Sequence, residues 1–229
     1  MGTSNLLSLL QLSDPALPIG GFAHSSGLET YVQHGIVSNV DTAKEFIVSF
    51  LAQNLHYTDA ALASLAYNDA MQNELENIIE WDVICTAIKL PAQIRDASQK
   101  LGLRLLKIFQ PVSDQALVNH YQQAVQSKRA SGNYCIVFGL FAASLKIPKA
   151  DALAGFYFNA AAGMVTNCVK LVPLGQQDGQ QLLFGLQPVI QELVLSSLEP
   201  DISKIGFSCA GFDIRCMQHE QLYSRLYMS

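Results

Sequence analysis

Apolar residues of this chain recur every three or four positions over long stretches, which is the period of an α-helix with one buried face. The pattern is clearest at Ile94, Ala97, Leu101, Leu105 and Ile108, and again at Leu182, Leu186, Val189, Ile190, Leu193 and Val194. No stretch shows the strict apolar–polar alternation, bounded by hairpin dipeptides, that is typical of a half-buried strand. The pattern therefore predicts an all-α protein without a significant sheet.

Capping residues and prolines divide the helical stretches from one another. Thr42 is followed three residues later by Glu45, a spacing typical of a capping box, and this predicts a long helix through the fifties. Gly35 is expected to end a short helix that begins near residue 26. Prolines predict the limits of two further helices, with starts at Pro91 and Pro148 and stops at Pro111 and Pro173. We expect about eight to ten helices in one all-α domain over residues 1–229.

The composition favours a protein that binds other proteins. Of the 229 residues, 50% are hydrophobic and only 14% are charged, against about 25% charged in an average soluble domain. This balance excludes intrinsic disorder. The net charge of −5, without a basic block, argues against partners such as nucleic acid or an anionic membrane. So few charges leave apolar surface that a partner or a second copy would cover, and we expect a homodimer.

The cysteines and the N-terminal stretch predict the cellular compartment. The five cysteines are far apart and form no CxxC pair, so free thiols in a reducing cytosol are expected. The stretch before Ser13 has no basic residues of the kind that begin a signal peptide. No run approaches the roughly 18 apolar residues that span a bilayer. We therefore expect a soluble, cytoplasmic protein.

Three segments do not follow the helical pattern: 13–24, 172–179 and 199–229. The first contains two prolines and the pair Gly20–Gly21, but no phosphate-binding motif follows it. Proline fixes φ and glycine permits close backbone approach. The segment is either a stiff connector against the core or a rigid loop that presents Phe22 and His24 to a partner.

The C-terminal segment, residues 200–229, has the composition of an interface. Tyr223, Arg225 and Tyr227 lie among apolar residues where chain ends are usually polar and frayed. We predict a mobile docking segment, with 200–212 as its hinge. A tail that folds back on its own core explains the same composition.

Candidate chemistry outside these segments is weak. Lys170 lies among apolar residues, and its side chain either reaches the surface or is partly buried with a carboxylate or carbonyl partner for use as an interface charge. Cys216 and His219 would share a helical face, with Cys209 nearby, and the three could hold nickel or zinc. A packed thiol beside a surface histidine is the simpler explanation of these residues. No nucleophile, base and orienting group can be assigned, and we predict neither a catalytic site nor a cofactor site.

Four collinear blocks of the sequence resemble one protein family. They are QLSDPALPIGGFAHSSGLE (11–29), RDASQKLGLRLL (95–106), VKLVPLGQQDGQQLL (169–183) and HEQLYSRLYMS (219–229). Together they closely resemble the urease accessory protein F family, UreF. The blocks extend over nearly the whole chain, and LVPLGQ and the C-terminal YSRL are specific signatures.

The resemblance implies an all-α dimeric scaffold without a reaction of its own. Such a protein acts with the accessory protein UreD, called UreH in some species, and with the GTPase UreG. The complex delivers nickel to apo-urease, so nickel is cargo and no cofactor is expected to stay bound. The family's C-terminal segment helps to dock UreD/UreH, and the scaffold recruits UreG, with modulation of its GTPase cycle a further expectation. The expected interface residues are Pro18, Gly20, Phe22, His24, Glu29, Lys170, Tyr223, Arg225 and Tyr227.

One departure from the family pattern bears on metal transfer. The residue after Gly132 is usually histidine, and here it is Asn133, so nickel ligation at this position is not expected. Two other hypotheses stay open. One is a small helical metal-dependent enzyme that uses Cys209, Cys216 and His219, with His24 as a further ligand. The other is a GTPase regulator whose arginine finger is Arg225.

Overall fold

The structure is a computed structural model that describes residues 2–112, 115–207 and 210–228. Within these ranges it contains twelve α-helices and no strand, which confirms the all-α prediction. The helices are α1 (Thr3–Leu12), α2 (Leu28–Gln33), α3 (Val40–Ser49), α4 (Ala61–Gln72), α5 (Leu75–Ile88), α6 (Ala92–Phe109), α7 (Ala116–Gln126), α8 (Tyr134–Ser144), α9 (Lys149–Leu171), α10 (Gln176–Gly185), α11 (Gln187–Ser197) and α12 (Ala210–His219). Among these, no helix is both long and apolar enough to cross a membrane.

The long helix expected through the fifties is present, but its start differs from the prediction. Residues 40–72 are helical without a break, and Phe50–Ala60 between α3 and α4 has π-helical hydrogen bonding. The N-cap is Asn39, whose side chain accepts a hydrogen bond from the Thr42 amide at 3.0 Å. The Thr42 hydroxyl oxygen in turn accepts from the Asn39 amide at 3.1 Å. The capping box therefore joins Asn39 and Thr42, and the predicted pair of Thr42 and Glu45 is wrong by one turn.

Prolines mark helix boundaries that the sequence predicts, and one further proline marks a boundary that the apolar periodicity does not reveal. Pro91 is the N-cap of α6, Pro148 precedes α9, and Pro173 follows its end. The apolar run 182–194, however, is divided between α10 and α11. Pro188 lies in the first turn of α11, where its missing N–H costs no hydrogen bond, so a new helix starts there.

Helix α8 is the centre of the core. Every residue from Cys135 to Ser144 is buried, and the helix packs against α4, α6 and α9. Its contact with α4 is close because Gly139 has no side chain. A Cβ at this position would overlap the carbonyl oxygen of Ala63 on α4. Helix α8 is apolar on every side, as a fully buried helix usually is. It also requires glycine at position 139 to pack closely against α4.

The buried carboxylate of Asp82 on α5 holds the loop that leads into α8. Its oxygens accept hydrogen bonds from the Tyr121 hydroxyl at 3.1 Å and from the backbone amides of Gly132 at 3.2 Å and Asn133 at 2.7 Å. The amide of Ser131 donates to the same carboxylate. A buried carboxylate requires such donors, and here they fix where α8 begins.

We predict that Gly139→Ala destabilises the protein by about 1–3 kcal/mol, because the added methyl group forces α4 and α8 apart. The matched control is Gly163→Ala on α9, where a Cβ has no neighbour within 4 Å. That change should be neutral or stabilise by up to about 1 kcal/mol, since alanine favours a helix. Urea denaturation of both variants measures the difference. Equal stability of the two variants would contradict the assigned role of Gly139.

Candidate functional site

The segment before α2 and the C-terminal segment meet on one face of the protein, formed by residues 18–34 and 215–228, which we call the terminal face. The Met228 amide donates to the Ala23 carbonyl at 2.8 Å. The Gln33 side-chain amide donates to the Ser224 carbonyl at 3.0 Å. These two contacts tie residues 224–228 to α2 and to the segment before it.

Glu29, in the first turn of α2, is the centre of the terminal face. Only 4% of its surface is exposed. One carboxylate oxygen accepts from the Leu226 amide at 2.7 Å, and the other from the Tyr227 amide at 3.2 Å. The second oxygen also lies 2.9 Å from Nε2 of His219, which is fully buried. Three residues singled out from the sequence (Glu29, His219 and Tyr227) are thereby brought into one cluster.

The tail buries one large side chain and exposes others. Tyr227 is 6% exposed, whereas Tyr223 is fully exposed. Arg225 and Leu226 are exposed as well. The tail therefore has an inner side that contacts its own chain and an outer side with an aromatic ring and a guanidinium. The docking role assigned to these residues stays a prediction.

The backbone at Gly20 lies close to a side chain of the same chain, that of Arg104. The φ of Gly20 is +91°, and a Cβ there would overlap the guanidinium of Arg104 on α6. The same guanidinium donates to the Ile19 carbonyl at 2.8 Å. Pro18 beside it is exposed. The positive φ, which L side chains rarely adopt, favours glycine at this position beside α6, and the choice between a connector and a docking loop stays open.

His24 lies between this loop and the core. Its side chain is half-buried, and its carbonyl accepts from the Asn167 side-chain amide at 3.0 Å. Burial, with smaller effects from the charges of Lys100 and Arg104, lowers the pKa of His24 below its usual value. The ring is therefore neutral at pH 7. The side chain of Phe22 lies outside the described part of the structure.

Lys170 is not part of the terminal face cluster. It is exposed in the last turn of α9, where its positive charge interacts favourably with the C-terminal end of the helix dipole. Of the two interpretations of this lysine, the structure has the side chain at the surface.

The residues of the hypothetical nickel or zinc trio are only partly described. Cys209 lies outside the described residues. The buried Cys216 thiol packs against Gly27, and burial raises its pKa to about 12. The Nε2 atom of His219 faces Glu29. The trio stays a hypothesis: among the described residues Nε2 of His219 has Glu29 as its partner, whereas the buried Nδ1 atom has no hydrogen-bond partner.

Asn133 is fully buried. Its side-chain amide donates to Thr86 at 2.8 Å and to the Asp82 carboxylate at 3.1 Å. This side chain therefore connects α5 with the start of α8.

One cluster was not predicted from the sequence. Ligand atoms of Asp59, Cys85 and Cys135 all lie within 4.8 Å of one another. The residues belong to the π-helical segment, α5 and α8, and the two cysteines are 50 positions apart. No local spacing could have indicated this cluster, because it depends on how three helices pack.

Comparison with known proteins decides the family. The family model for UreF matches residues 37–187. The chain belongs to the UreF family. It is 46% identical over 222 residues to "Urease accessory protein UreF" of Actinobacillus pleuropneumoniae serotype 5b (strain L20), covering 97% of this chain and 98% of that protein. It is also 46% identical over 226 residues to the protein of that name from Haemophilus influenzae (strain Rd), covering 99% and 96%.

A more distant relative extends the same relationship. "Urease accessory protein UreF" of Bacillus sp. (strain TB-90) is 33% identical over 226 residues, covering 99% of this chain and 100% of that protein. These alignments cover nearly the entire chain, so the similarity to urease accessory proteins extends over almost its full length. The resemblance inferred from the four sequence blocks is thus confirmed.

We predict that Glu29→Ala releases the tail, because the Leu226 and Tyr227 amides lose their common acceptor. Hydrogen exchange at these two amides should then become at least about tenfold faster, the effect of losing roughly 1.4 kcal/mol of protection. Glu220→Ala, which removes an exposed carboxylate of the same segment, is the control and should leave both rates unchanged. Unchanged exchange in Glu29→Ala would show that Glu29 does not anchor the tail.

Proposed function

We propose that this protein is a non-catalytic adaptor for urease maturation, which joins UreD/UreH and the GTPase UreG in the complex that supplies nickel to apo-urease. Its membership of the UreF family supports the urease-related role. The observation that carries the adaptor role is the two-sided tail. A buried anchor at Tyr227 and Glu29 holds an outer surface on which Tyr223 and Arg225 are exposed.

The chemistry of this outer surface suits a protein partner. Tyrosine and arginine are enriched among interface residues that dominate binding free energy. The guanidinium of Arg225 can pair with a carboxylate through two parallel hydrogen bonds, which lysine cannot do. Because the tail is already held against α2, less conformational entropy is lost on docking than for a free segment.

We predict that Tyr223→Ala and Arg225→Ala each weaken capture of purified UreD/UreH by about 30-fold, as expected for the loss of about 2 kcal/mol at a binding hot spot. Both side chains are exposed, so the melting temperature should stay within about 1 °C of the unmodified protein. Titration by surface plasmon resonance and a thermal melt measure the two effects.

The control lies in the same segment. The buried Tyr227 hydroxyl has no hydrogen-bond partner among the described residues, so Tyr227→Phe should change neither binding nor stability. Wild-type affinity in both Tyr223→Ala and Arg225→Ala would exclude the outer surface as the UreD/UreH site.

Regulation of the GTPase is the second candidate role, favoured by the exposure of Arg225. The same Arg225→Ala variant separates the two roles when GTP hydrolysis by UreG is measured in the assembled complex. An arginine finger contributes about 10³–10⁵ to kcat. A docking residue changes the concentration needed for assembly and leaves hydrolysis in the saturated complex unaltered.

We also propose that the protein forms a homodimer. Large apolar side chains on several helices are exposed, among them Leu7 at 62%, Phe184 at 72% and Leu195 at 70%. Together with the low charge content, this surface suits a second copy of the chain. Sedimentation equilibrium at tens of micromolar should give twice the 25.0 kDa chain mass. A single species of chain mass would contradict the dimer.

A further inference from the structure

We propose that Asp59, Cys85 and Cys135 form a binding site for one thiophilic divalent cation of the Zn²⁺ type, between the π-helical segment, α5 and α8. None of the three ligands belongs to the terminal face, and the proposal does not depend on partner binding. It rests on the geometry of three ligand atoms, on a charge balance and on an adjoining cavity.

The spacing of the ligand atoms matches that of a tetrahedral zinc site. Zinc–sulfur bonds of about 2.3 Å at tetrahedral angles place two sulfurs about 3.8 Å apart. The Sγ atoms of Cys85 and Cys135 are 3.5 Å apart, and the Asp59 carboxylate lies within 4.8 Å of both. A tetrahedral site needs the carboxylate oxygen about 3.5 Å from each sulfur, so a shift of Asp59 by up to about 1 Å would bring the three atoms onto one ion.

The local charges suit a bound cation. Lys89 lies in the same cluster, only 8% exposed, with Nζ 2.6 Å from one oxygen of Asp59. When both thiols are ionised, their two charges balance a divalent cation, and Lys89 balances Asp59. The loaded site would therefore be neutral, which is the condition for burying it without a large desolvation penalty.

A cavity supplies the route to this site and a place for a fourth ligand. Asp59 and Lys89 both line a cavity of about 150 Å³, and Asp59 also borders a second cavity of about 250 Å³. Because two sulfurs and one oxygen leave one tetrahedral position open, water in the first cavity would complete the coordination.

The thiols must lose their protons when the ion binds. Burial, the neighbouring Cys85 and the Asp59 charge raise the pKa of the Cys135 thiol well above its usual value, an effect that Lys89 opposes. Cys135 also lies in the first turn of α8, where the helix dipole favours a thiolate. Cysteine binds zinc as the thiolate, so loading the site should release protons.

The test is a zinc titration of the full chain, kept reduced, against a chromophoric chelator at pH 7.5. We expect one equivalent of Zn²⁺ in the unmodified protein. In the double variant Cys85→Ala/Cys135→Ala the affinity should fall more than the roughly 10–100-fold that loss of an outer-shell group costs. Cys168→Ala, which removes another fully buried thiol, is the control and should bind as the unmodified protein does.

Binding that is absent from the unmodified protein, or that persists unchanged in the double variant, would overturn the site. X-ray absorption of the unmodified zinc-loaded protein provides a result even if the double variant fails to fold. We expect two sulfur neighbours at about 2.3 Å with oxygen completing the shell. A shell with imidazole nitrogen would point instead to His219 with Cys209 and Cys216, and would exclude Asp59, Cys85 and Cys135 as the ligands.

Discussion

Burying a carboxylate costs free energy unless donors surround it, and the packing of this protein depends on meeting that condition at separate places. Glu29 is satisfied by backbone amides of the C-terminal segment and by His219. Asp82 is satisfied by the amides that precede α8 and by Tyr121. In each case the donors come from a distant part of the chain, so satisfying the carboxylate fixes a segment that has little apolar surface of its own.

The need to supply Glu29 with hydrogen-bond donors also positions the chain end against the rest of the protein. The core around α8 is apolar and closely packed, and Gly139 sets how near α4 can approach it. Apolar packing alone would leave the residues after His219 without a defined position, because among the described residues 220–228 Tyr227 is the only one that is deeply buried. Hydrogen bonds to Glu29 supply the missing specificity. The exposed Tyr223 and Arg225 are then presented on a segment whose path is already defined, which suits an adaptor.

Charge balance inside the protein also governs the cluster of Asp59, Cys85 and Cys135. Lys89 pairs with Asp59 inside the protein, and the two adjacent thiols have no comparable charge of their own while they are protonated. A thiophilic cation would exchange these protons for a charge-balanced site. The cluster lies beside a cavity that His24, Asp213 and Cys216 also line, so it adjoins the terminal face without sharing ligands with it.

The amino-acid sequence by itself determined the features that arise from neighbours along the chain. Apolar periodicity indicated the helical stretches, though not the break before Pro188, and prolines at 91, 148 and 173 marked helix ends, because helix formation and termination are local events. The four sequence blocks also indicated the UreF family. Only the tertiary structure decided that Glu29 meets Tyr227 and that Cys85 meets Cys135. Such contacts depend on how helices distant in sequence pack together, and no local spacing encodes that packing.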